Sequence, residues 1–376
     1  MKRIPYVSKL GLVAASLVLG SWLLADEAAP KPVVATCSGE ISGYVEDGIY
    51  TFKGVPYAKA GRFMPPTAPG KWEGVRECRE YGPIAMQMNS WSKESDMDER
   101  DLFTVNIWTP GVNDGKKRPV MVWLHGGGFS VGSGSDPITD GKLLAEKGDV
   151  VVVSVNHRLN ILGFLDLSAV DQKYARSANV GMLDVVEALR WVARNIESFG
   201  GDCGNVTILG ESGGGGKVGT LMCMPGAKGL FHKAIIQSGT LVNVMTKEKS
   251  REVGLALLDV LGISKEDVHE LDGIPYRDLV AAGERALERT VGRRTPGTRT
   301  MFGFGPVPDG IDLLQQPFTP GFAGISEDVP LMIGTTFNEL MKTCYGEKAL
   351  SFDGARERLE VEYGEQTEAF IALFKA

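Results

Sequence analysis

The sequence has 376 residues, of which 43% are apolar and 23% charged, with a formal net charge of −7 and an isoelectric point near 5.4. This composition is typical of a globular chain with a sizeable core, and it excludes disordered, collagen-like and coiled-coil proteins. The acidic balance, without a basic stripe, argues against nucleic acid as a partner, so we expect a small molecule or another protein.

The N-terminus predicts a targeting segment. Its positive charges are Lys2, Arg3 and Lys9, and residues 10–24 form an uncharged run of 15 residues. A membrane span needs roughly 20 residues, so this run is short for one. We expect residues 1–25 to be a secretory signal peptide, cleaved after Ala25, and residues 26–37 to be a polar linker. The protein is then secreted or periplasmic, with no stable membrane span after cleavage; an uncleaved anchor is the alternative.

The cysteines and histidines give no metal or disulfide pattern. The five cysteines are odd in number and widely spaced, and no pair of Cys or His residues has a metal-ligand spacing. We therefore predict neither a metal nor a cofactor. The oligomeric state is left open.

Short apolar runs alternate with helical patterns along the chain. Residues 39–55 predict a hairpin about Glu46-Asp47-Gly48. Residues 181–196 carry apolar side chains at helical spacing and end before Gly200-Gly201. The predicted strands are residues 103–108, 119–124, 150–155, 206–209, 234–236 and 329–334. This alternation predicts an α/β protein with a mostly parallel, doubly wound sheet, in one domain over residues 38–376. Ligands of such sheets bind beyond the carboxyl ends of the strands.

Two segments fit the pattern G-x-S-x-G, and their contexts separate them. Ser212 follows the predicted strand 206–209 and precedes a predicted helix at 217–222, as a nucleophile elbow requires. Ser130 is followed by Gly132-Ser133-Gly134-Ser135, which predicts a loop. We therefore predict that Ser212 is a nucleophile and that the match at Ser130 is coincidental.

A second motif, His125-Gly126-Gly127-Gly128-Phe129, ends another predicted strand. Backbone N–H groups of such glycines can approach and stabilise a tetrahedral oxyanion. A phosphate-binding loop at 213–216 with Lys217 is the competing interpretation of the downstream glycines. It fails because Glu211 stands where that motif requires Gly, and Val218 where it requires Ser or Thr.

With these motifs together, the chain resembles the type-B carboxylesterases of the α/β-hydrolase fold, the group that contains para-nitrobenzyl esterases and cholinesterases. The matching segments also include 52–58, 106–110, 156–158, 195–202, 227–232, 237–239 and 306–310. The resemblance extends from about residue 38 to the last residue.

The resemblance implies a serine esterase that forms an acyl-enzyme on Ser212. The N–H groups of Gly127, Gly128 and Gly213 would hold the oxyanion. Glu339 matches the triad acid of the family, although Leu340 replaces the Gly that follows it, and Glu211 would contribute a secondary electrostatic effect.

The third triad member has no counterpart. In the family the catalytic His follows the Glu by roughly a hundred residues, whereas 37 residues follow Glu339 here and none is His. We interpret His125, His157, His232 and His269 as structural. Without a base, turnover falls on the order of 10⁶ by analogy with triad removal in subtilisin. We expect the chain to be truncated before the segment that carries the catalytic His.

Two functions remain open at this point. The first is a carboxylic ester hydrolase acting on a small-molecule ester of unspecified structure. The second is a catalytically silent binding protein of the same fold, similar to neuroligins, or an inactive fragment. The Ser, the glycine motif and Glu339 favour the first, because a binding protein has no use for an oxyanion-binding loop.

Overall fold

A computed structural model describes residues 31–88, 92–239, 244–292, 303–318, 324–336 and 352–373. The chain divides between Lys31 and Pro32, and every element named below belongs to the part that starts at Pro32. The predicted signal peptide lies outside the described residues.

Eleven strands are found in the described residues, in two sheets. They are β1 (Val33–Ala35), β2 (Glu40–Ser42), β3 (Tyr44–Glu46), β4 (Ile49–Pro56), β5 (Val75–Glu77), β6 (Thr104–Thr109), β7 (Arg118–Leu124), β8 (Val151–Val155), β9 (Gly201–Glu211), β10 (Lys233–Gln237) and β11 (Leu331–Gly334). The larger sheet has the order β11-β10-β9-β7-β8-β6-β4-β3, and the smaller one has the order β1-β2-β5. The five strands from β11 to β8 in this order are parallel, and the remaining three join antiparallel.

Eight α-helices lie in the described residues. They are α1 (Lys142–Gly148), α2 (Asn160–Phe164), α3 (Val180–Asn195), α4 (Gly213–Leu221), α5 (Lys247–Leu261), α6 (Tyr276–Val291), α7 (Phe352–Tyr363) and α8 (Thr367–Leu373). Short 3₁₀ helices occupy Glu94–Asp96, Pro137–Thr139, Gln172–Tyr174, Ser177–Asn179, Ile196–Phe199, Pro225–Ala227, Val268–Gly273, Gly324–Ser326 and Gly364–Gln366. In the part of the chain that the structure describes, no helix is both long and apolar enough to cross a bilayer.

Two central strands are buried on both faces, and their few polar side chains, such as Asn106 and Thr109, form hydrogen bonds. Every residue of β8, Val-Val-Val-Ser-Val, is buried, and so is every residue of β6. Continuous runs of this kind are typical of sheets that are covered on both sides. The helix α3 packs its Trp191 beside Phe199, whose ring meets Phe52 of β4 edge to face at 5.1 Å. A second apolar cluster holds α5 against α6, with Leu257 and Leu279 fully buried.

The predicted fold class is confirmed, and so are the hairpin (β3–β4, with Glu46 opposite Ile49) and the six predicted strands. Helix α3 covers the predicted helix within one residue at each end. Three boundaries differ by more than two residues. Strand β9 begins at Gly201, five residues before the predicted start at residue 206. Residues 33–35 form β1 inside the predicted linker, where Val34 is buried against the core. Helix α4 begins at Gly213, four residues before the predicted start at Lys217.

Candidate active site

The two sequence motifs lie at the same edge of the sheet. Strands β7 and β9 are parallel neighbours, with Leu124 opposite Gly210. The glycine motif leaves β7 directly after Leu124, and Ser212 leaves β9 directly after Glu211. The fold therefore brings together segments that are more than 80 residues apart in sequence, at the edge where ligands of parallel sheets bind.

Ser212 adopts a strained backbone conformation at the head of α4. Its φ of 54° and ψ of −121° lie in a region that residues with a Cβ rarely occupy. The strain is held by hydrogen bonds on both sides, because Ser212 N donates to the Gln237 carbonyl at 2.8 Å and Gly216 N donates to the Ser212 carbonyl at 3.0 Å. A strand, a strained Ser and a helix in this order form the nucleophile elbow geometry.

We call residues 125–128 the glycine loop. Gly127 has a φ of 86° and Gly128 a φ of 65°, both in the left-handed region that favours glycine. The loop lies directly against the elbow: a Cβ placed on Gly213 would be 2.3 Å from Gly128 N. The backbone of the loop is therefore in close contact with the first residue of α4, directly after Ser212.

Glu211 lies in the same place. A Cβ placed on Gly126 would be 3.2 Å from Glu211 Oε2 and 3.7 Å from Ser212 Cβ. Glu211 is exposed and directly precedes Ser212 at the end of β9. The structure thus brings together five of the six residues named from the sequence, and the sixth, Glu339, lies outside the described residues.

Ser130 has none of these features. It follows the glycine loop in a turn, where its backbone N donates to the Gly127 carbonyl at 3.3 Å, and no helix begins after it. It lines a cavity of about 510 Å³ together with Val131, Asn160, Ile161, Tyr276 and Phe304. The cavity borders the glycine loop because the Val131 carbonyl packs against Gly127.

In the described residues, none of the four histidines forms a hydrogen bond with the Ser212 hydroxyl. The rings of His125 and His157 are buried and stacked at 5.1 Å, and their Nδ1 atoms face the carbonyls of Gly126 and Arg158. His232 Nδ1 accepts the Val206 N–H, and His269 is exposed. Within the described residues, the Ser212 hydroxyl has no side-chain hydrogen bond.

Burial sets the charge of the two stacked rings. The pKa of His125 and that of His157 are well below the ordinary 6.5, mainly because burial disfavours the charged ring and secondly because of the positive charge of Lys217. Both Nε2 atoms are buried without a hydrogen-bond partner. The two rings are therefore neutral at neutral pH.

Lys217 also belongs to this region, although its sequence position did not predict such a role. The residue is fully buried, and its Nζ donates to the His125 carbonyl at 2.7 Å. Burial lowers the pKa of Lys217 to about 7. The available signal was a lysine inside the otherwise small and apolar segment 213–221.

No metal centre is found in the described ranges, since no group of three or more His, Cys, Asp or Glu side chains there is arranged to hold an ion. An elbow serine beside a glycine loop, at the carboxyl ends of adjacent parallel strands, defines a protein of the α/β-hydrolase fold.

Comparison with known proteins gives the family. The chain belongs to the carboxylesterase family, which it matches over residues 30–368. It is 39% identical over 317 residues to a para-nitrobenzyl esterase of Bacillus subtilis (strain 168), a match that covers 82% of this chain and 63% of the relative. It is 36% identical over 325 residues to a phenmedipham hydrolase of Pseudarthrobacter oxydans, covering 82% of this chain and 62% of the relative. The chain thus spans somewhat over 60% of the length of these two curated relatives.

Solved structures agree. A thermophilic para-nitrobenzyl esterase superposes with a TM-score of 0.80 at 36% identity, over 91% of this chain and 71% of the other. A carboxylesterase of Geobacillus stearothermophilus superposes with a TM-score of 0.78 at 40% identity, over 91% and 70% of the two chains. These matches confirm the resemblance drawn from the motifs.

Proposed function

We propose that the protein is a serine carboxylic ester hydrolase in which Ser212 attacks the ester carbonyl and becomes acylated. The observation that carries the proposal is the contact of the strained Ser212 turn with the glycine loop. In this arrangement the N–H groups of Gly127, Gly128 and Gly213 serve as oxyanion donors. Donors fixed in advance by the backbone stabilise the developing negative charge without reorganising during the reaction.

A triad acid can be assigned in this sequence, whereas a general base cannot. Glu339 is proposed as the acid that orients the base, and Glu211 as a nearby negative charge that stabilises a protonated base. A serine hydroxyl needs a base within hydrogen-bond reach. In the described residues, none of the four histidines of this sequence forms a hydrogen bond with the Ser212 hydroxyl. We therefore assign the general base to none of them.

The substrate is proposed to be a small carboxylic ester. The relatives named above are a para-nitrobenzyl esterase and a phenmedipham hydrolase. The cavity of about 510 Å³ beside the glycine loop is of the size that small-molecule ligands occupy. Its wall combines apolar side chains, such as Ile161 and Phe304, with Tyr276 and Asn160, which suits an ester with an aromatic or aliphatic group.

The proposal is tested with a fluorophosphonate probe and a 4-nitrophenyl ester on the full chain. Exogenous imidazole is included because it can act as a base where the site supplies none. We expect peptide mass spectrometry to find the phosphonate on Ser212, and ester turnover to rise with imidazole above the rate of Ser212→Ala. The matched control is Ser264→Ala, at an exposed serine whose hydroxyl donates to Asp267, and this variant should keep both properties. Absence of label and of any turnover above Ser212→Ala would overturn the proposal.

We also propose a secreted or periplasmic location, based on the charge and length of residues 1–25. The intact mass of the protein recovered from its native host tests this: the mature chain should begin at Asp26. A chain that retains Met1 in the membrane fraction would instead support an uncleaved anchor.

A further inference from the structure

A lysine side chain is buried directly beneath the candidate active site. Lys217 lies on α4, five residues after Ser212, and is fully buried. The four glycines that precede it have no side chains, which leaves room for the amine to cross from α4 to the glycine loop. Surface lysines are common, whereas a completely buried lysine is rare unless it has a specific partner.

The partners of the amine belong to His125. Its Nζ donates to the His125 carbonyl at 2.7 Å and lies 3.4 Å from His125 Nδ1, and it is 5.8 Å from the centre of the Phe129 ring. Among the described residues, no carboxylate forms an ion pair with Lys217. The hydrogen bond to the carbonyl is therefore its principal interaction.

Packing alone does not account for this residue. Burying an amine without a carboxylate costs free energy, and the cost is visible in its pKa, which falls to about 7. An apolar side chain of similar volume, such as Met, would fill the same space without that cost. The reason for a lysine at this position must therefore lie in the hydrogen bond that its amine donates.

It holds the segment from which the oxyanion donors extend. The His125 carbonyl belongs to the peptide that joins His125 to Gly126, directly before Gly127 and Gly128. Glycines restrict their own backbone little, so the direction of the donors depends on how the start of the loop is fixed. On the other side, Lys217 belongs to the helix that begins at Ser212. The amine thus ties the loop to the helix of the nucleophile.

We infer that Lys217 is a positioning residue that fixes the glycine loop relative to Ser212 through the His125 carbonyl. This inference deepens the proposed function and rests on it for its effect on catalysis. We do not assign Lys217 as the base, because its amine donates to the His125 carbonyl and, in the described residues, forms no hydrogen bond with the Ser212 hydroxyl.

The test compares Lys217→Met, which fills the space without a donor, with Lys217→Gln, which keeps an uncharged donor. Lys247→Met is the matched control, because Lys247 also donates to a backbone carbonyl, that of Asp309, far along the chain from the elbow. The first readout is the rate at which the fluorophosphonate labels Ser212. We expect Lys217→Met to slow labelling at least about 10-fold, Lys217→Gln to recover much of it, and Lys247→Met to leave it unchanged.

The second readout does not depend on catalysis. Amide hydrogen exchange at residues 125–131 should accelerate at least about 10-fold in Lys217→Met, while exchange in β8 stays at the wild-type rate. If wild type is never labelled, the proposed function fails, but this readout still decides the role of Lys217. Unchanged exchange in the glycine loop, or equal acceleration in β8 and the loop, would overturn the inference.

Discussion

Replacing Lys217 by Met should change how the stability of the protein depends on pH. Burial lowers the pKa of Lys217 from its ordinary 10.5 to about 7 in the folded protein. Between these two values the unfolded chain binds a proton at this residue and the folded chain does not. The free energy of unfolding must therefore rise with pH between these two values. It decreases as the pH falls toward 7, because protonation of Lys217 then favours the unfolded chain.

The size of the effect follows from the same linkage. One proton of difference changes the free energy of unfolding by about 1.4 kcal/mol per pH unit. From pH 7.5 to 9.5, wild type should gain about 2–3 kcal/mol relative to Lys217→Met, in which the titrating group is absent. His125 and His157 face the amine but do not add to this slope, because their pKa values are well below 6.5. Glu211, on the adjacent strand end, is exposed, so solvent and salt screen its charge from the amine.

Urea unfolding at several pH values measures this difference. The six tryptophans provide the fluorescence signal, and Trp108 and Trp191 are buried in the folded protein. Parallel curves for wild type and Lys217→Met would refute the reasoning, since they would mean that the buried amine keeps an ordinary pKa.

Two further predictions concern the scaffold. Asp184→Asn should destabilise the fold by about 3–5 kcal/mol in urea unfolding, because it leaves the buried Arg158 without its charged partner. In the wild type, Arg158 Nη2 lies 2.6 Å from Asp184 Oδ1. A loss below about 1 kcal/mol would contradict this prediction. Gly254→Ala should lower the thermal midpoint markedly, because the new Cβ would lie 1.9 Å from the Asp166 carbonyl oxygen. Gly273→Ala, where a Cβ meets nothing within 4 Å, is its control, and equal midpoints for the two variants would show that α5 shifts freely.

The parallel part of the sheet was predictable because its strands are short apolar runs. Ser212 could be separated from Ser130 for a related reason: the segments after the two serines differ, and only the one after Ser212 has a helical pattern, which an elbow needs. Both inferences use local sequence. They succeed because strand burial and the strand–turn–helix order are encoded within about 15 residues.

The start of α4 and the role of Lys217 could not be predicted in this way. Four consecutive glycines each disfavour a helix by about 1 kcal/mol relative to alanine, so the sequence predicts a loop at 213–216. Contacts with β7 and β10 override that preference, as the packing of Gly214 against the Leu124 carbonyl and of Gly215 against the Gln237 carbonyl indicates. Glycines also carry no apolar periodicity, so the small and apolar neighbours of Lys217 are the one sequence signal that its face of the helix is buried.

The short strand β1 could not be predicted from the sequence for a similar reason. Three residues are too few for an alternating pattern, and Val34 becomes buried only because the strand pairs with β2. The stacking of His125 on His157 depends likewise on contacts between residues distant in sequence. The composition shows that the chain has four histidines. Only the fold shows that His125 and His157 share one buried site with Lys217.

Two unfavourable features therefore lie within five residues of each other. The positive φ of Ser212 costs on the order of 1–3 kcal/mol, and the buried amine of Lys217 adds a further penalty. Each is compensated by a backbone carbonyl of a neighbouring segment: that of Gln237 at the end of β10 for Ser212, and that of His125 after β7 for Lys217. Separation of α4 from either strand removes one compensation and weakens the other. The geometry of the site thus depends on the pairings of β9 with β7 and with β10, together with the hydrogen bond of Lys217 to the His125 carbonyl.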